Sequence, residues 1–158
     1  MSYISILYIL MLVVFISYVT FVWAKYGVQA SISDSYYRLP DKLKFLFTLF
    51  CWGFSIPAMI IGSTVLMFLA GSAIAFVGAA AEFKDLFTRP VHVIGAMGGV
   101  FLSQLATIFD YHLWPISLIF FCLSGLILLF KKHIPNQTWW IEILAFISIC
   151  VVLGIEIF

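Results

Sequence analysis

Charge is what this chain has least of. Only 9% of its 158 residues are Asp, Glu, Lys or Arg, against about a quarter in an ordinary soluble domain, while 65% are hydrophobic. A soluble domain this small has too little interior to hide so much apolar area. The net charge of +1 offers no basic field for a phosphate backbone, so no nucleic-acid partner is expected. Cysteine is scarce as well. Cys51, Cys122 and Cys150 each lie in an apolar run, where an odd count reads as free buried thiols and not as a disulfide framework. Also missing are H-x-x-x-H, C-x-x-C, G-x-S-x-G and a glycine-rich phosphate loop, so no zinc, nucleophile-elbow or nucleotide motif is complete. No metal or cofactor is expected.

What is present is apolar run after apolar run. A transmembrane helix needs roughly 20 apolar residues, and residues 3–24 supply the first. No Lys or Arg precedes that run and no small-x-small cleavage site closes it, so it reads as a retained span and not a signal peptide. Residues 45–81 hold no charge and would make about 55 Å of helix, nearly twice the hydrocarbon thickness. Two spans, 45–61 and 63–81, with a tight turn near Gly62-Ser63 resolve that excess. Residues 91–109, 115–130 and 139–157 complete an all-α, polytopic bundle of six spans in a single transmembrane domain, 1–158. With six spans, all eight basic residues (Lys25, Arg38, Lys42, Lys44, Lys84, Arg89, Lys131, Lys132) fall in the first, third and fifth connections. The positive-inside bias then places loops 25–44, 82–90 and 131–138 in the cytoplasm and both termini outside. Trp23, Trp114, Trp139 and Trp140 fall at span ends, where interfacial aromatics belong. Asn136-Gln137-Thr138 is a glycosylation sequon, silent on the cytoplasmic side.

Small residues recur every fourth position at Gly71, Ala75 and Ala79 in the third span, and at Gly95, Gly99 and Ser103 in the fourth. Such stripes let helix backbones approach closely in lipid, and the short connection between these spans predicts that they pack on each other. Pairing with a second copy of the chain is the alternative use. Pro57 falls inside the second span, while Pro90 and Pro115 open the fourth and fifth, where proline costs little.

Polar residues concentrate in few places. The first loop carries Ser33, Asp34, Tyr36 and Tyr37; the third carries Glu82 and Asp85; His92 opens the fourth span. All seven lie on the expected cytoplasmic side and form the candidate polar site. An ionisable group within a span is costly and usually faces the bundle interior, which singles out His92. Asp110 lies about 27 Å further along the same helix, so a partner for His92 must come from elsewhere, Asp34 or Asp85 being the natural choice. Asp110, His112 and His133 read as turn and interface residues.

Ile32-Ser33-Asp34-Ser35 resembles the I-S-D-[ST] motif of the DRAM-like (damage-regulated autophagy modulator) family of six-span membrane proteins. Phe76-Val77-Gly78 through Val91-His92-Val93-Ile94-Gly95-Ala96 is similar to that family's later segment, with its H-x-x-G-A element. The resemblance covers about residues 32–96 and implies the six-span fold, but no defined activity. The expected function is non-enzymatic: a binding, sensing or accessory protein integral to a plasma or inner membrane. Its expected partners are membrane lipids, with a second copy or another membrane protein as a further one. The alternatives are a membrane-embedded lipid hydrolase with a metal at Asp34, Asp85 and His92, and a small oligomeric transporter.

Overall fold

The first apolar run forms helix α1, Tyr3–Tyr26, started by the Ser2 hydroxyl, which accepts the Ser5 N–H at 3.1 Å. Gly27 ends it at φ 73°, a left-handed angle that glycine adopts without a Cβ penalty. The computed structural model describes residues 2–130 and 132–158; the expected topology signal from Lys131 lies outside the described residues. Five more helices follow: α2 (Phe45–Gly62), α3 (Val65–Ala79), α4 (Arg89–Leu105), α5 (Trp114–Leu129) and α6 (Gln137–Ile157). Two 3₁₀ turns, Ser33–Tyr37 and Asp41–Leu43, structure the first loop, and α4 continues into a π-helical turn, Ala106–Asp110. The described residues contain no strand. The all-α class and the six helices agree with the hydropathy pattern.

Four helical stretches are long and apolar enough to cross a membrane: Tyr3–Tyr26, Asp41–Gly62, Arg89–Asp110 and Gln137–Ile157. Helices α3 and α5, of 15 and 16 residues, measure only about 22 and 24 Å against about 30 Å of hydrocarbon. The turn between α2 and α3 is as tight as the sequence requires. Ser63 adopts φ 54°, and the Thr64 hydroxyl starts α3 by accepting the Met67 N–H. Pro57 is buried inside α2, which runs through it.

Helix α3 lies between α2 and α4, α1 packs on α2 and α6, and α5 packs on α6. Gly95 and Gly99 of α4 do face α3: a Cβ at Gly95 would stand 2.9 Å from the Ala73 carbonyl oxygen, and one at Gly99 2.9 Å from Ile74. The α3 stripe points the other way. Gly71 abuts Ser55 and Met59 of α2, the Ala75 carbonyl accepts the Trp52 indole N–H of α2, and Ala79 is exposed. The face of α3 that receives α4 is Ala70, Ala73, Ile74 and Val77. Both sides of α3 are close-packed, so its glycines serve the α2 contact while larger residues receive the α4 glycines.

An aromatic core of Phe15, Phe47, Phe50 and Phe54 fills the centre, with Tyr18 stacked on Phe50 at 4.5 Å. Trp139 belongs to this core and not to an interface, because the first turn of α6 is tucked under the first loop; Trp23 and Trp114 are exposed. Large apolar residues such as Phe68, Phe76, Met97 and Leu129 stand on the outside, the inverse of a soluble surface and in keeping with lipid as solvent. Hydrogen bonds gather the odd-numbered loops at one end: Tyr36 to Glu82, and Asn136 to the Val28 carbonyl. At the opposite end Tyr111 donates to the Gly62 carbonyl. Every described Lys and Arg therefore lies at the first end.

Candidate functional site

The first loop is a folded piece of structure on the end of the bundle. Ile32, Ser33, Ser35, Tyr36 and Leu39 are buried. Ser35 is 0% exposed; its hydroxyl donates to the Ile32 carbonyl and pairs with the Tyr18 hydroxyl of α1 at 2.7 Å. The Ser31 hydroxyl accepts the Asp34 N–H at 2.9 Å, closing a local turn. From α6 the Glu142 carboxylate reaches across and accepts the Ile32 N–H. A first-turn N–H has no partner within its own turn, and a carboxylate is the strongest side-chain acceptor for it.

The third loop docks on this structure. Lys84 pairs with Asp34 at 3.1 Å, and its ammonium lies 4.1 Å from the Tyr37 ring centroid. The Lys84 backbone N–H donates to the Tyr37 hydroxyl at 2.7 Å. Tyr36 donates to Glu82 at 3.0 Å. Burial first, then that hydrogen bond, pushes the Tyr36 phenol above its ordinary pKa, so it remains a donor at neutral pH. Ser33, Asp34, Tyr36, Tyr37 and Glu82 are thus brought to one place.

Asp85 and His92 are not joined to Asp34. Asp85 accepts the Phe87 N–H of its own loop at 2.8 Å. His92 is 3% exposed. Its Nδ1 faces the Ala80 carbonyl at 2.9 Å and its ring stacks on Phe83 at 4.4 Å. A carbonyl only accepts, so Nδ1 carries a proton and donates to it. Among the described residues no three His, Cys, Asp or Glu side chains are grouped to hold a metal ion. The trio Asp34, Asp85 and His92 is therefore corrected: the third loop turns Asp85 onto its own backbone, and the Ala80 carbonyl just past α3 takes the imidazole.

Under the first loop lies a cavity of about 510 Å³ between α4 and α6, backed by α2 and α3, a size usual for small-molecule sites. Ser33, His92 and Glu142 line its loop end; Phe50, Val77, Val100, Phe146 and Ile149 line its length. Two of its residues escaped the reading of the sequence. Glu142, near the start of the last apolar run, and Gln104, within the fourth, are not among the site residues that the sequence singles out. The usable signal was the same for both: a lone strongly polar side chain in a lipid-length apolar run needs a partner.

Compared with protein-family models, with curated proteins and with solved structures, this chain matches none. The likeness to the DRAM-like family rests on the two motifs.

Proposed function

We propose that this chain is an integral membrane protein whose six helices all cross the bilayer. In this reading the termini lie outside, loops 25–44, 82–90 and 131–138 lie in the cytoplasm, and the folded first loop forms a non-enzymatic binding, sensing or accessory site. The gathering of the described cations at one end supports the orientation. Short helices such as α3 and α5 are accommodated by local thinning and by their apolar flanks. A plasma or inner membrane is the setting, and the DRAM-like motifs fit the same architecture.

The observation that carries the binding reading is the latch. Asp34, Tyr36 and Tyr37 engage the third loop while Glu142 holds Ile32, so one preorganised surface roofs a cavity open to hydrocarbon. The polar groups of this surface bond one another, which supports a preorganised binding surface. The test is detergent purification followed by incubation with a total membrane lipid extract and mass spectrometry of what is retained. Lipid recovered chemically intact is expected. Release of free fatty acid, abolished by His92→Ala, would replace this reading with the hydrolase.

A further inference from the structure

The cavity between α4 and α6 is open on the side that a bilayer would cover. Val93, Met97 and Phe101 of α4 and Phe121 of α5 line it and are themselves exposed. The rim is therefore apolar and lateral, and the first loop closes the end that would face water. Inside, the lining is apolar from Phe47 to Ile149 except at two places. One is the loop end, where Glu142 is already bound to Ile32 and His92 to Ala80. The other is Gln104, 12 residues beyond His92 and so about 18 Å deeper along α4.

Gln104 is 1% exposed and lines the cavity. Its Nε2 donates to the Ser148 hydroxyl of α6 at 3.2 Å, while Oε1 is buried with no hydrogen-bond partner among the described residues. Turning the amide over gives Oε1 the serine and strands the NH₂ group instead. Either way one polar end of a buried amide lacks a protein partner, a cost of about 1–3 kcal/mol that proteins seldom leave uncompensated. The π-helical turn Ala106–Asp110 begins two residues on, a local distortion frequent at functional sites. Charge narrows the occupant further. The lining holds no Lys or Arg, and its one carboxylate is Glu142. A fatty acid or a phosphate-headed lipid would bring an anion to a cavity with no cation to meet it.

We propose that this cavity holds one long-chain lipid with an uncharged hydroxyl head, of the fatty alcohol or monoacylglycerol class. The Gln104 side chain, whose Oε1 is closed off from the cavity, turns its free amide end toward the hydroxyl beside Ser148, and the chain lies along Val100, Phe146 and Val77 toward the first loop. A hydroxyl both donates and accepts, so it satisfies the amide in either orientation. The inference rests on the binding reading above and deepens it by naming the ligand class.

The experiment uses a photoactivatable, alkyne-bearing monoacylglycerol and the matching photoactivatable fatty acid, offered to the full-length protein in nanodiscs at neutral pH. Crosslinks from the monoacylglycerol are expected within residues 93–104 and 141–149, with the fatty acid labelling those peptides roughly tenfold less. Gln104→Leu is expected to lower the monoacylglycerol signal roughly tenfold with little change in the melting midpoint, since removing the unsatisfied amide end offsets the lost hydrogen bond to Ser148. Val100→Trp, which fills the cavity from a half-buried position, is expected to abolish the signal. Equal labelling by the fatty acid, undiminished labelling of Gln104→Leu, or crosslinks spread evenly over the lipid-facing helices would each overturn the proposal. None of those results touches the binding reading, which fails separately if the lipid extract is hydrolysed.

Discussion

The Glu142 carboxylate on α6 accepts the backbone N–H of Ile32, 110 residues earlier in the chain. That contact ties the last helix to the loop after the first helix, and it does so at the roof of the α4–α6 cavity. Glu142→Leu leaves the Ile32 N–H without its acceptor and is expected to cost about 1–3 kcal/mol. Glu142→Gln keeps a carbonyl acceptor in place and loses less. Thermal unfolding in detergent, with limited proteolysis between residues 28 and 40, checks both. The Leu variant should be cleaved faster in this segment than the Gln variant.

The Gly95 contact with α3 meets backbone, which cannot swing aside. Gly95→Ala places a Cβ 2.9 Å from the Ala73 carbonyl oxygen and is expected to destabilise by about 1–3 kcal/mol. Gly98, three residues on, has open space where its Cβ would be, so Gly98→Ala is expected to be neutral or to gain up to about 1 kcal/mol from helix propensity. Paired melting curves of the two variants in the same detergent decide this, and equal effects would contradict the packing.

The all-helical architecture was legible because hydropathy and charge placement act on whole runs of residues. A 37-residue stretch without charge has few ways to sit in lipid, and Gly62-Ser63 is the natural break within it. Charge placement likewise put the first and third loops on one side, but that Tyr36, Tyr37 and Asp34 would bond the third loop was not legible. Direction was not legible. The period of Gly71, Ala75 and Ala79 marks a close approach but not which neighbour is approached, since α3 has one on each side. Nor did the sequence tell that His92 would turn to the Ala80 carbonyl, a backbone group with no signature of its own. Glu142 and Gln104 were visible as solitary polar residues, yet their partners lie on other elements, and only the packing of α6 against the first loop and α4 defines them.

The Asp34–Lys84 pair is partly solvated, with side chains 21% and 59% exposed, and such pairs contribute little. A double-mutant cycle with Asp34→Asn and Lys84→Met is expected to return a coupling below about 1 kcal/mol. Tyr36→Phe removes a more sheltered hydrogen bond to Glu82 and is expected to cost about 1 kcal/mol. Denaturant titration of the four proteins and of Tyr36→Phe tests the ranking. A larger coupling for the ion pair would show that charge, and not the buried tyrosine, locks the two loops.

Cys51 and Cys150 are buried and Cys122 is exposed on the apolar surface of α5. A water-soluble maleimide is therefore expected to leave Cys51 and Cys150 unmodified in the folded protein and to react with them after denaturation. Mass spectrometry of labelled peptides gives the answer, and ready modification of Cys51 without unfolding would contradict the packing of α2 against α3.

The decisive measurement is side-specific labelling with an impermeant maleimide in sealed inverted and right-side-out vesicles, using single cysteines on a cysteine-free background. Positions Lys42, Phe87 and His133 report the first, third and fifth loops; Ser63 and His112 report the second and fourth. Six crossings predict that Lys42, Phe87 and His133 label only from the cytoplasmic face, and Ser63 and His112 only from the opposite one. Labelling of Ser63 from the same face as Lys42 would mean that α2 and α3 do not each cross the bilayer, and would contradict the six-span topology on which the proposed site depends.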